Sequence, residues 1–119
     1  MSKIKVKRIY ETPSDRDGYR ILIDRLWPRG VSKSKAEIDS WNKEIAPSEH
    51  LRKWFGHDPK KFVAFEKRYR EELENKQEEL NTICKRAKTQ HITLLYAAKD
   101  IKHNHALVLK YILESRLYF

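Results

Sequence analysis

The chain has 119 residues, 26 Lys or Arg against 17 Asp or Glu, a formal net charge of +9, and a hydrophobic content of 39%. That length and apolar content support one packed core and exclude a disordered chain; no run of about 18 apolar residues spans a bilayer, and the opening residues Met1 to Lys5 lack the apolar stretch of a secretion signal. The single cysteine, Cys84, excludes an internal disulfide and a two-thiol redox or metal pair, so we expect a cytoplasmic protein made of a single domain, residues 1–119.

In chain order, Ile4 to Tyr10 alternates apolar and basic residues and reads as a strand whose charges suit a sheet edge. Thr12 to Gly18 (TPSDRDG) is a loop, and Tyr19 to Leu26 (YRILIDRL) is a second strand. The loop between them is too short for a helical crossover, so their relative direction stays open. Asp24 to Gly30 (DRLWPRG) leaves the second strand through a shaped turn, with Pro28 holding Trp27 extended and Gly30 permitting a positive φ. Ser34 to Ile38 reads as a short helix, and Trp41 to Ala46 as an irregular segment or third strand.

Ser48 is placed to N-cap a short helix that runs to Phe55 and stops at Gly56, and Asp58 followed by Pro59 opens another. Phe62, Phe65, Tyr69 and Leu73 then share one face. Continued unbroken to Lys88, that helix would be about 45 Å long, against a radius of gyration near ~13.5 Å for a chain this size. A break near Asn75 resolves the conflict, with a further helix from Lys76 to Lys88 burying Leu80, Ile83, Cys84 and Ala87. Ile92 to Ala97 is apolar without alternation, the mark of a strand covered on both faces at the centre of a parallel sheet. Ala106, Leu109 and Leu113 mark a last helix, so Lys99 to His105 connects strand end to helix start, where open α/β sheets bind ligands. The expected fold class is α/β: three layers, a mostly parallel central sheet and helices on both faces.

Two polar clusters follow strand ends: Asp24, Arg25, Trp27 and Arg29, then Lys99, Asp100, His103, Asn104 and His105. If both strands point the same way, both clusters line one rim. The plainer alternatives are an Asp24 that pairs with Arg25 or Arg29 above a packed Trp27, and histidines of which one caps a helix and the other is exposed. At a helix N-terminus an imidazolium is disfavoured, which keeps His103 or His105 neutral and able to exchange a proton. His103 and His105 with His57 or Asp100 form a thin metal set, and no metal is assigned. The letters HNH do not make the nuclease of that name, whose motif is spread over a ββα unit.

The strings DRLWPRG, WNKEIAPSEHLRKWFGHDPKKF and TLLYAAKDIKHNHA together resemble the YeaO-like branch of domain-of-unknown-function family 488, over nearly the whole chain. The resemblance implies a cytoplasmic three-layer α/β domain and brings no assigned reaction. The wider family tends to show Asp-x-Arg after its second strand and Cys-His-Arg at the last strand–helix junction. Here Asp24 and Arg25 are adjacent, and His103, Asn104 and His105 stand at the junction without a thiol, so a cysteine mechanism is not expected. The family pattern also groups Ser48, Arg52, Trp54 and His57 with the two clusters.

The leading expectation is a polar cleft at the strand C-terminal ends that binds an anionic small molecule, phosphate-bearing or nucleotide-like, with hydrolysis or transfer as the reaction if one occurs. Arg25, Arg29 and Arg52 would grip the anion, with Trp27, Ser48, His57 and Asn104 beside them, and His103 or His105 would act as acid or base oriented by Asp24 or Asp100. No cofactor or oligomeric state is specified. The alternative is a nucleic-acid-binding or regulatory module that uses the basic N-terminal third, although no helix-turn-helix pattern is present. No membrane partner is expected.

Overall fold

Strand β4 (Ile92–Tyr96), buried at every position, lies between β1 (Ile4–Arg8) and β2 (Tyr19–Leu22), with the two-residue β3 (Ser40–Trp41) beyond β2. These assignments come from a computed structural model that describes residues 3–118. Every pairing is parallel, from Ile4 opposite Ile92 to Leu22 opposite Trp41. The first two strands therefore run the same way without being neighbours: β4 fills the gap, and residues 9–18 return the chain through a 3-10 turn at Asp15–Asp17 in place of a helical crossover. β1 is an edge strand, as its lysines predict.

The described residues form α1 (Lys33–Ala36), α2 (Glu49–Phe55), α3 (Phe62–Leu73), α4 (Gln77–Ala87) and α5 (His105–Tyr118), the last four on the apolar periodicities. Ser48 caps α2 by accepting the Leu51 amide, and Asp58 caps a 3-10 turn at Pro59–Lys61 from which α3 continues. The long helical pattern breaks between Leu73 and Gln77, and the Cα radius of gyration is 13.6 Å. β1 stops at Arg8 rather than Tyr10: Ile9 donates the last ladder bond, to Tyr96, and the chain then turns, with the Glu11 amide donating to the Arg8 carbonyl. β2 stops at Leu22 rather than Leu26; Ile23 donates the last ladder bond, to Leu95, and beyond it Asp24 engages side chains and amides outside the ladder. Among the described residues, no helix is long and apolar enough to cross a membrane.

Strand alternation divides the core in two. Ile4, Ile21, Ile23, Ile92, Leu94 and Tyr96 meet α2, α3, α4 and α5 in the larger cluster, built round Phe65, Tyr69 and Leu109. Leu22 and Leu95 point the other way, onto Ile9, Ala36, Trp27 and Trp41. Helices thus cover both faces unequally, the second under only the single turn of α1 and the loop after β2. Leu95 is fully buried there. Leu95→Ala is expected to cost about 2–3 kcal/mol, the lower part of the usual range, because so thin a cover can settle into the void. Urea midpoints check the value.

The same thin face carries Lys5, Lys7 and Arg20, which converge on the fully buried carboxylate of Asp17. Burial alone raises the Asp17 pKa. Hydrogen bonds from Lys7 and Lys5, then from the Ser14 amide and Arg20, outweigh it and hold the carboxyl well below the usual range. The Asp17 carbonyl accepts the Thr93 hydroxyl at 2.7 Å, tying the hub to β4.

Candidate functional site

Because β2 and β4 are parallel neighbours, the chain leaves both at one edge, and a cavity of about 910 Å³ opens there. Asp24, Arg25, Trp27 and Arg29 from the end of β2 share it with Lys99, Asp100, His103, Asn104 and His105 from the β4–α5 connection, and Arg52 and His57 enter from α2 and its end. Phe55 and Phe65, stacked at 4.3 Å between centroids, form part of its apolar lining together with Pro47, Ala97 and Ala98.

Asp24 fastens three elements. Its Oδ2 accepts the Ala97 amide at 3.1 Å, and its carbonyl accepts the Trp41 indole at 2.7 Å. Its Oδ1 lies 3.1 Å from His105 Nε2, which is itself 3.0 Å from the Ile23 carbonyl. Both neighbours of that nitrogen are acceptors, so the proton is assigned to Nε2. Directed at Ile23, that N–H leaves Asp24 Oδ1 close to the imidazole yet buried without a hydrogen bond of its own. On the far side, Arg8 donates to the carbonyls of Ala97 and Ala98 at 3.1 and 2.9 Å, so the backbone wall of the cavity is held from both directions.

The β4–α5 connection is a set of turns closed on Asp100. One carboxylate oxygen accepts the amides of Lys102 and His103, at 2.8 and 2.9 Å, and the other meets His103 Nδ1 at 2.9 Å. The Lys102 amide first, then the His103 ring, hold this carboxyl below the usual range. Asn104, 2% exposed, spends its amide on the Asp100 carbonyl and its carbonyl on the Leu107 amide, and so caps α5.

The cations divide into two groups. Arg25 donates to the carbonyls of Pro47 and Ala46, at 3.1 and 3.4 Å. Arg29, Arg52 and Lys99 are exposed, and among the described residues no side chain or carbonyl bonds to theirs. Trp27 spends its indole N–H on the Val31 carbonyl and sets its ring against Trp41 at 5.2 Å. His57 is held at a φ of 59°, directly after Gly56 at 52°.

Ser48 lies elsewhere: its hydroxyl donates to Glu72 at 2.6 Å, beside a separate cavity of about 290 Å³. Cys84 sits in the core against α5, where burial pushes its thiol up. Among the described residues, no three His, Cys, Asp or Glu side chains are grouped to hold a metal ion. Sequence reasoning missed Arg8, which looked like an edge-strand charge; only the β1–β4 pairing reveals its reach to Ala97. It also missed the contribution of Phe55 and Phe65 to the cavity, since their helical spacing marks them equally as core.

A family model described as "Inactive DUF488-N3 subclade" matches residues 3–118. The chain is 46% identical over 106 residues to the uncharacterized protein YeaO of Escherichia coli (strain K12), covering 89% of this chain and 92% of that protein. It is 36% identical over 115 residues, 97% of both chains, to the uncharacterized proteins Mb3100c of Mycobacterium bovis and Rv3073c of Mycobacterium tuberculosis. No solved structure gives a significant match.

Proposed function

On the premise that this chain belongs to the YeaO-like DUF488 family, in the subclade described as inactive, we propose that its strand-end cavity binds an anionic ligand, phosphate-bearing or nucleotide-like, without turning it over. One observation carries the reading. The two carboxylates of the cavity are engaged by protein groups, whereas Arg29, Arg52 and Lys99 are not. A guanidinium fork is suited to grip two oxygens of a phosphate at once. The volume falls in the range of small-molecule sites.

Binding without turnover is supported by what the last strand–helix junction holds. His103, Asn104 and His105 stand there with no thiol beside them, and Cys84 is buried in another part of the core. Asn104 is consumed in capping, and the His105 Nε2–H is directed at a backbone carbonyl, which makes it a poor acid or base toward a ligand. Hydrolysis or transfer through His103 and Asp100 has fewer observations behind it. Nucleic-acid binding by the basic N-terminal third is supported less still: Lys5, Lys7 and Arg20 are spent on Asp17, and Arg8 and Arg25 on backbone carbonyls.

Thermal melts against a panel of phosphates and nucleotides test the reading. A ligand at 100 times its Kd is expected to stabilise by about 2.7 kcal/mol. Arg29→Ala and Arg52→Ala should abolish that shift while changing stability by about 0.5 kcal/mol or less, as exposed substitutions do. His105→Ala is expected to behave differently, costing about 1–3 kcal/mol, because the Ile23 carbonyl loses its donor. Ligand shifts that survive in both arginine variants would sink the proposal.

A further inference from the structure

Resting on that anion-pocket reading, we infer that His103 is an additional anion-binding residue, one that joins Arg29, Arg52 and Lys99 by taking a proton from solvent onto Nε2 as the ligand enters. Asp100 carries only acceptor oxygens when ionised, so the short contact at 2.9 Å assigns the Nδ1 proton of His103 to the shared bond. Nε2 is then the bare nitrogen of the neutral ring. Among the described residues nothing bonds to it, the side chain is 37% exposed, and the ring lines the cavity.

The ring is also held in place. The His103 amide is fixed on the same Asp100 carboxylate, and Phe62 of α3 packs edge-on against the imidazole at 5.3 Å between centroids. A neutral imidazole turned toward an anion presents a lone pair and repels it. Proton uptake converts that nitrogen into a charge-assisted donor, and imidazole titrates near enough to neutral pH for ligand binding to tip the balance.

The charged groups around the ring are Asp100, bonded to it, Asp24, Arg25, Arg29, Arg52 and Lys99 of the same cavity, and Lys102 of the same turn, and the N-terminal end of α5 begins two residues on. A bound anion offsets the repulsion between an imidazolium and those cations. His57 and His105 share the cavity, but His57 has no carboxylate partner among the described residues, and the His105 Nε2–H is directed at Ile23.

Isothermal titration with inorganic sulfate, whose charge is constant between about pH 5 and 8 where imidazole titrates, separates this inference from the pocket reading. Wild-type protein is expected to bind sulfate roughly fivefold more tightly at the acid end, the gain of one partly exposed charge contact. It should also take up a proton, seen as a heat that varies with the ionisation enthalpy of the buffer. His103→Gln should remove both effects. Asp100→Asn, which keeps an acceptor for the turn amides, should move the acid-side gain to lower pH. Sulfate binding that is independent of pH, or proton uptake that persists in His103→Gln, overturns the inference and leaves the pocket reading standing. Absence of sulfate binding at any pH in this span overturns both.

Discussion

An Asp17→Asn variant is expected to lose about 3–5 kcal/mol of folding stability, the cost of removing one partner from a buried ion pair. The figure rests on Arg20, whose side chain is 5% exposed, and on Lys7 at 15%; Lys5 bonds to the same carboxylate, but at 45% exposure its share is screened by solvent. Asparagine keeps the shape and one acceptor but removes the negative charge that compensates the buried Arg20 guanidinium, whose other partners are the carbonyls of Ala36 and Glu37. The acid limb of the stability curve carries the same signature. Because the folded state holds the Asp17 carboxyl below its ordinary value of 3.8, the unfolded chain binds the proton first as pH falls. The stabilisation is complete above that ordinary value and drains away between it and the lower folded value. The gap in urea midpoint between wild type and variant should be narrower at about pH 3 than at about pH 7. A gap that stays constant across that span would mean the loss is steric, not electrostatic.

Gly18→Ala is expected to be at least as damaging, upward of about 4 kcal/mol, and to leave little folded protein at 37 °C. Gly18 holds a φ of 67° with a ψ of −132°, a region that side-chain-bearing residues avoid. A methyl there would lie 2.3 Å from the His91 carbonyl oxygen. That oxygen is backbone, and it accepts the Tyr19 amide at 2.9 Å, the bond that opens the β2–β4 ladder. Relief of the clash therefore means losing the first rung between the two strands that form the cavity. Circular dichroism melts of the variant, with Ser14→Ala as a milder lesion in the same loop, check the claim. A melting point close to wild type would refute it.

The regular parts of the fold were legible because periodicity is a local signal. Ile92–Tyr96 announces a doubly covered strand by its lack of alternation, and Phe62, Phe65, Tyr69 and Leu73 announce a helix by their spacing. The convergence of two polar clusters followed from one further rule, that parallel strands end on one edge. What stayed hidden depends on pairing. That β4 separates β1 from β2 decides that Arg8 reaches Ala97, that Lys5 and Lys7 meet Asp17, and that His105 reaches Ile23, and no window of neighbouring residues encodes it. Ser48 shows the converse. Its capping role was readable from Ser48-Glu49-His50-Leu51, but its second partner is Glu72, a full helix away, and that partner draws it out of the main cavity.

The placement of β4 also governs the order in which the chain can become a protein during translation. β1 pairs only with β4, so a ribosome that has released the first ninety residues has delivered three strands of which only β2 and β3 are able to pair, over two residues. Until β4 emerges, the unpaired backbone edges of β1 and β2 are exposed together with their apolar faces, the condition under which nascent chains depend on holding factors and are open to proteases. A frameshift or premature stop upstream of Ile92 thus removes the middle of the sheet, and the truncated product keeps two flanking strands with nothing between them.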